Sequence, residues 1–297
     1  VILVPGVFGS HLKDERGRVW LDWEAVDPLA RLQYTAAGIT ADGLVEGLYA
    51  KLHAALSATH DVIPFPYDWR KPIEQSATDL AVRVDDALRA REVSGQPVRL
   101  LAHSTGGLVA RALQLDHVEV WQRWLAHPDA RLLMLGTPNA GLWAPMQLLS
   151  GDDTLGGVLT FLSPPSRDRQ TRRTLAEFPG VMQLQAGLLD QPALQDPRTW
   201  QALAGDDVRR ATEASAWHAS DAQKSQLAWG LPDEKTFKTL LAAAVALQQR
   251  LANQLTANFE RYASKILLVT GQAPLTPFGY ADGAEGFTYL YTPSGDG

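Results

Sequence analysis

The run Leu100-Leu101-Ala102-His103-Ser104-Thr105-Gly106-Gly107-Leu108-Val109-Ala110-Arg111 constrains this chain more than any other segment. Its first residues read as a buried strand and its last as an apolar helix, with Ser104 at the turn between them. A strand that passes into a helix so abruptly brings the two elements into close approach. The positions two before and two after the serine must then be small, and Ala102 and Gly106 meet that demand. The same turn holds the serine in a strained backbone conformation and aims its hydroxyl outward. The alternative reading of the string is a serine that simply N-caps a helix.

Other apolar runs repeat the pattern. Val1 to Val4, Asp61 to Pro64, Val98 to Ala102, Arg131 to Leu135, Lys265 to Thr270 and Phe287 to Tyr291 are rich in Val, Ile and Leu or in aromatics, and each stops at Gly, Pro or a polar cluster. They read as strands of a mostly parallel sheet covered on both faces. Between them Leu44, Leu48, Leu52 and Leu56, and again Leu80, Val84 and Leu88, fall at helical spacing. Alternating strand and helix is the signature of an α/β layer fold.

The alternation breaks from Thr137 to Ser264, a stretch far longer than a crossover helix needs. It shows no convincing strand. Gly156-Gly157 and Pro164-Pro165 mark a loop, and Phe237, Leu240, Leu241, Ala244, Leu251, Leu255 and Phe259 line one face of a long helix expected from about Asp233 to Tyr262. The expected organisation is a core over residues 1–141, a mostly helical cap over 142–263, and the core resumed over 264–297. The cap is expected over the C-terminal edge of the sheet, where open α/β sheets bind ligands; a packed structural subdomain is the alternative.

Composition narrows the function. A net charge of −6 with scattered basic residues leaves no electrostatic footprint for nucleic acid; Arg167, Arg169, Arg172 and Arg173 form the only dense run. There is no Cys, so disulfides, thiolate metal sites and catalytic thiols are excluded. Metal-binding spacings and phosphate-binding Gly loops are absent, and no cofactor is expected. No apolar stretch reaches the roughly 18–20 residues that span a bilayer. The opening Val1-Ile2-Leu3-Val4 reads as a strand already under way, without a Met or a basic leader, so an excised domain is expected. Localisation stays open between cytoplasm and a bacterial cell envelope.

A serine hydroxyl needs a base to remove its proton, and the oxyanion formed on attack needs two donors. The N–H of Thr105, directly after Ser104, is one candidate. Val4-Pro5-Gly6-Val7-Phe8-Gly9-Ser10, a strand opening into a Gly-rich turn, supplies the other in the N–H of Val7. His103 is expected to pack behind the turn, since neighbours in a tight turn project in different directions. In Tyr67-Asp68-Trp69-Arg70 an Asp68–Arg70 ion pair is expected to pin the loop, with Trp69, like Phe8, a candidate for lining an acyl pocket. Trp143, Leu148, Leu149, Phe161, Leu162, Phe178, Trp217 and Trp229 are further candidates for an apolar wall.

Five segments in order, Pro5 to Ser10, Pro66 to Arg70, Ala102 to Gly107, Gly136-Thr137-Pro138-Asn139-Ala140-Gly141 and Gly295-Asp296-Gly297, resemble the lecithin:cholesterol acyltransferase family of α/β hydrolases. The resemblance implies an α/β-hydrolase fold and a Ser–Asp–His triad that cleaves lipid-like esters through an acyl-enzyme. It puts Ser104 at the nucleophile position, Asp296 at the acid position, and Val7 and Thr105 at the oxyanion positions. It also implies a lipid or other acyl-ester partner and a transient membrane-surface contact through the cap. The chain departs from the family pattern in three ways. Thr105 stands where Met is frequent, which does not matter for a backbone donor. The cysteines of secreted animal members are missing, which suggests a bacterial-type, disulfide-free relative. No His follows Asp296, although the triad order in this fold is Ser, acid, His; His218 lies in the expected cap. The catalytic His is therefore expected beyond residue 297. A binding module that kept the fold without catalysis, and a thioesterase or amidase with the same triad, remain open.

Overall fold

Short runs of Val, Ile and Leu assemble here into one parallel sheet, buried throughout at Ile2–Val4 and exposed at Leu267, Leu268 and Val269 of an edge strand. The structure is a computed structural model that describes residues 1–21, 31–152, 168–214, 220, 227–254, 259–283 and 286–295. Its backbone falls into two units. One gathers Val1–Asp22, Thr35–Ala140 and Gln249–Thr270, and the other Trp23–Tyr34, Gly141–Gln248 and Gly271–Gly297.

The first unit runs through β1 (Ile2–Val4), β2 (Ser10–Asp14), β3 (Gly17–Trp20), β4 (Thr40–Leu44), α1 (Glu46–Ser57), β5 (Ile63–Pro64), α2 (Ile73–Arg91), β6 (Arg99–His103), α3 (Thr105–Asp116), α4 (Val118–Leu125), β7 (Arg131–Leu135) and β8 (Ile266–Val269). The sheet order is β5-β1-β6-β7-β8, every pairing parallel, with Val4 opposite Ala102 and Leu132 opposite Ile266. Ile2, Leu3 and Val4, on the strand next to the central β6, are wholly buried. In α2 the buried residues Ile73, Ala77, Leu80, Ala81, Val84 and Ala87 follow the helical repeat, while Glu74 in the first turn and Arg89 and Arg91 in the last suit the helix dipole.

Two features depart from the sequence reading. A small antiparallel sheet of order β3-β2-β4 precedes α1, built from strands too polar and short to announce themselves. Phe287 to Tyr291, expected in the parallel sheet, instead lies in β10 (Gly286–Thr292) and pairs antiparallel with β9 (Thr276–Gly283), Tyr289 opposite Tyr280. An alternating aromatic run fits either partner, and the hairpin connection decides between them.

Among its described residues, the second unit has helices as its regular elements apart from that hairpin. It contains α5 (Ala144–Ser150), α6 (Asp168–Ala176), α7 (Pro179–Met182), α8 (Pro197–Ala214) and most of α9 (Glu234–Gln254). Its core joins Trp143, Met146, Trp200, Trp229, Phe237 and Phe287. Of the candidates for an apolar wall, Trp143, Leu149 and Trp229 belong to that core, and Leu148 and Phe178 are buried as well. Phe161, Leu162, Trp217, His218 and the Gly156-Gly157 and Pro164-Pro165 pairs lie outside the described residues. Among the described residues, no helix is long and apolar enough to cross a membrane.

Candidate active site

Ser104 links the C-terminal end of β6 to the N-terminus of α3 with φ 51° and ψ −125°, a region that L-residues rarely enter. Its side chain makes no capping bond to the helix, which sets it apart from an ordinary N-cap serine. The turn is held by main-chain bonds: Ser104 N–H donates to Leu135 O at 2.8 Å, and Gly107 N–H to Ser104 O at 3.0 Å.

The small residues around the turn have identifiable neighbours. A Cβ on Gly106 would lie 2.6 Å from Pro5 O and 2.7 Å from Val4 O, so α3 leaves the turn pressed against the end of β1. A Cβ on Gly107 would fall on the side chain of Thr137. One on Gly6 would come within 2.8 Å of Ser104 Cβ. The loop after β1 therefore touches the serine directly, and only a glycine leaves room for it.

Within that loop Phe8 is, with Ser104, one of the two non-glycine residues at positive φ among those described, at 61°. Its carbonyl accepts the Trp20 indole N–H at 2.8 Å, and Gly9 N–H closes back onto Gly6 O at 3.0 Å. Among the described residues, the N–H groups of Val7 and Thr105 have no hydrogen-bond acceptor. Thr105 stands at the first position of α3, where backbone donors are left over and the helix dipole favours negative charge.

Trp69 is 1% exposed. It packs edge-on against Phe8 and Trp20 and donates its indole N–H to Ser10 O at 3.1 Å. Phe8 is half-buried above it. Asp68 and Arg70 form the expected pair, Arg70 Nε to Oδ1 at 2.9 Å and Nη2 to Oδ2 at 2.7 Å, both side chains buried. Arg70→Met strands the Asp68 carboxylate, so a loss of about 3 kcal/mol is expected in urea unfolding, most of it restored by adding Asp68→Asn.

Two residues of this region were not singled out in the sequence. Tyr49, from α1, accepts the Gly6 N–H at 2.8 Å and lies 2.7 Å from His103 Nδ1. Arg111, wholly buried in α3, bonds Asn139 Oδ1 and Gln254 Oε1 at 2.9 Å each and Leu251 O at 2.5 Å. It thereby ties the Gly136–Asn139 turn to the helix that follows Ser104. Burial of the guanidinium among neutral acceptors lowers its pKa to about 10.

The described histidines are engaged elsewhere. His11 bonds Trp20 O and Glu46, His53 bonds Ser57, His60 contacts Thr59 and Arg99, His117 bonds Thr78, and His127 bonds Gly95 O. His103 packs beside the turn on Tyr49, and desolvation there lowers its pKa from the ordinary histidine value. Asp296 lies outside the described residues. Among the described residues, no cluster of three or more metal-ligating side chains occurs.

Comparison with known proteins agrees with this geometry at the level of fold, and part of the chain matches a known family. Residues 52–184 match the family described as lecithin:cholesterol acyltransferase, a span that includes Tyr67–Arg70, the Ser104 turn and the Gly136–Gly141 segment. A solved structure titled the Tle4-Tli4 complex aligns at 12% identity, covering 85% of this chain and 71% of that one, with a TM-score of 0.52. The mature Bacillus licheniformis lipase BlEst2 aligns at 16% identity over 65% of this chain and 57% of that one, with a TM-score of 0.33. No curated protein matches in sequence. Residues 52–184, which carry the strand–Ser–helix turn, are similar to the lecithin:cholesterol acyltransferase family, and the parallel sheet with its flanking helices is an α/β-hydrolase fold.

Proposed function

We propose that the protein is a serine-dependent hydrolase or O-acyltransferase of lipid-type esters. The observation that carries this reading is the strained backbone at Ser104, left uncapped at a helix N-terminus with the Gly6 turn against its Cβ. Strain of this kind persists only where the surroundings impose it, and it clusters at reactive centres. The Ser104 hydroxyl attacks the acyl carbonyl while a histidine outside the described residues, oriented by Asp296, takes its proton. The Val7 and Thr105 N–H groups hold the oxyanion. Expulsion of the alcohol leaves an acyl-enzyme that water or a second alcohol resolves. Phe8 lines the acyl side, and Trp69 supports it from beneath.

A fluorophosphonate probe tests this directly. In the full-length protein the probe is expected to attach to Ser104, found by peptide mass mapping, and to miss Ser104→Ala. A folded protein that takes no label at position 104 overturns the reading.

A further inference from the structure

Tyr49 is 3% exposed and sits among Leu3 and Leu101 beneath the loop that follows β1. Its hydroxyl touches two groups. It accepts the Gly6 N–H at 2.8 Å, and it lies 2.7 Å from His103 Nδ1. Gly6 precedes Val7, and His103 precedes Ser104, so one phenol oxygen spans both halves of the proposed site. A Cβ on Gly9 would meet Tyr49 Cε2 and its hydroxyl at 2.9 Å, so the ring also fills the space under the turn.

The hydrogen-bond inventory fixes the roles. A phenol oxygen that accepts Gly6 N–H still carries its own hydrogen, and a buried hydroxyl hydrogen needs an acceptor. Among the described residues, the acceptor within reach is His103 Nδ1. The imidazole must then be neutral, with its proton on Nε2. His103 is exposed as a residue, and the partial desolvation of its ring against Tyr49, which disfavours the charged form, agrees with that assignment.

We propose that Tyr49 and Nε2-protonated His103 are positioning residues that set the distance between the Val7 N–H and the Ser104 hydroxyl through a Gly6 N–H to Tyr49 to His103 chain. The inference rests on the serine reading above. His103 acts in it as a hydrogen-bond acceptor and not as the base. Oxyanion donors work only when held in place before the reaction, and small displacements there are costly.

The test uses the full-length protein, an ester substrate and the fluorophosphonate probe. Tyr49→Phe keeps the ring and removes the hydroxyl. It is expected to lower kcat and the labelling rate of Ser104 roughly ten-fold with KM unchanged. His103→Leu is expected to do the same. His103→Asn, whose Oδ1 stands where Nδ1 stood, is expected to recover most of the loss, which a residue acting as base would not allow. Nitrogen-15 NMR is expected to show His103 bare at Nδ1 in the parent protein and losing that preference in Tyr49→Phe. Full kcat in Tyr49→Phe, His103→Asn as slow as His103→Leu, or a proton on Nδ1 in the parent overturns the inference. If Tyr49→Phe does not fold, the His103 pair and the parent spectrum decide. A parent protein that takes no label at Ser104 overturns the serine reading and this inference with it, whereas a labelled parent with unaffected variants overturns this inference alone.

Discussion

Ser104→Ala is expected to lower kcat for ester cleavage on the order of 10⁴-fold or more, because no other group can form the acyl-enzyme and only binding and the oxyanion donors remain. The change removes one oxygen from a side chain that makes no capping bond, so the fold has little to lose. A companion substitution separates chemistry from architecture. At φ 51° and ψ −125° any side chain is strained, whereas glycine is not. Ser104→Gly is therefore expected to be as inactive as Ser104→Ala but more stable than it by about 1 kcal/mol in chemical unfolding, in spite of glycine's greater freedom when unfolded. An active Ser104→Ala would remove the nucleophile from the mechanism. Equal stability of the two variants would show that the turn relaxes when the serine is replaced.

Much of this was legible in the sequence because the demands are local. Ala102 and Gly106 bracket Ser104 at the two positions where close approach of strand and helix forbids bulk, and both constraints lie within a few residues of the turn. The parallel strands were legible for a similar reason, since burial on both faces leaves an uninterrupted apolar run such as Ile2 to Val4. Tyr49 was not legible. The helical spacing in its neighbourhood pointed to Leu44, Leu48, Leu52 and Leu56, yet Leu48 is 63% exposed while Tyr49 is the buried residue of α1. Its hydroxyl finds His103 54 residues further on, and no local pattern records a bond of that span. Phe8 was identified from its motif, but its left-handed φ was hidden, because the usual sign of that conformation is a Gly or Asn. Arg111 reads as the polar end of an apolar helix until Asn139 and Gln254 are brought to it by the fold. What the sequence withheld are the polar contacts between distant segments, and these hold the two halves of the proposed site together.

Gly106→Val is expected to cost more stability than any other single change considered, about 5 kcal/mol, enough to leave little folded protein. The argument is one of contact with main chain. A first side-chain carbon at position 106 falls 2.6 Å from the carbonyl oxygen of Pro5 and 2.7 Å from that of Val4. Neither can retreat cheaply: Val4 is wholly buried and pairs with Ala102, and Pro5 O already accepts the Tyr67 hydroxyl at 3.1 Å. The alternative is to lift α3 off the sheet, which would open the contacts of Val109, Ala110 and Ala112, all wholly buried. Overpacking that meets flexible side chains costs roughly 1–3 kcal/mol, and backbone on both sides takes away that escape. Gly106→Ala should fall between the parent and Gly106→Val, and in each variant the labelling of Ser104 should fall with the folded fraction. Circular dichroism melts and probe labelling run side by side would read both quantities. A Gly106→Val protein that melts like the parent would mean that helix and strand do not meet at this turn, and the case for a strained Ser104 would fall with it.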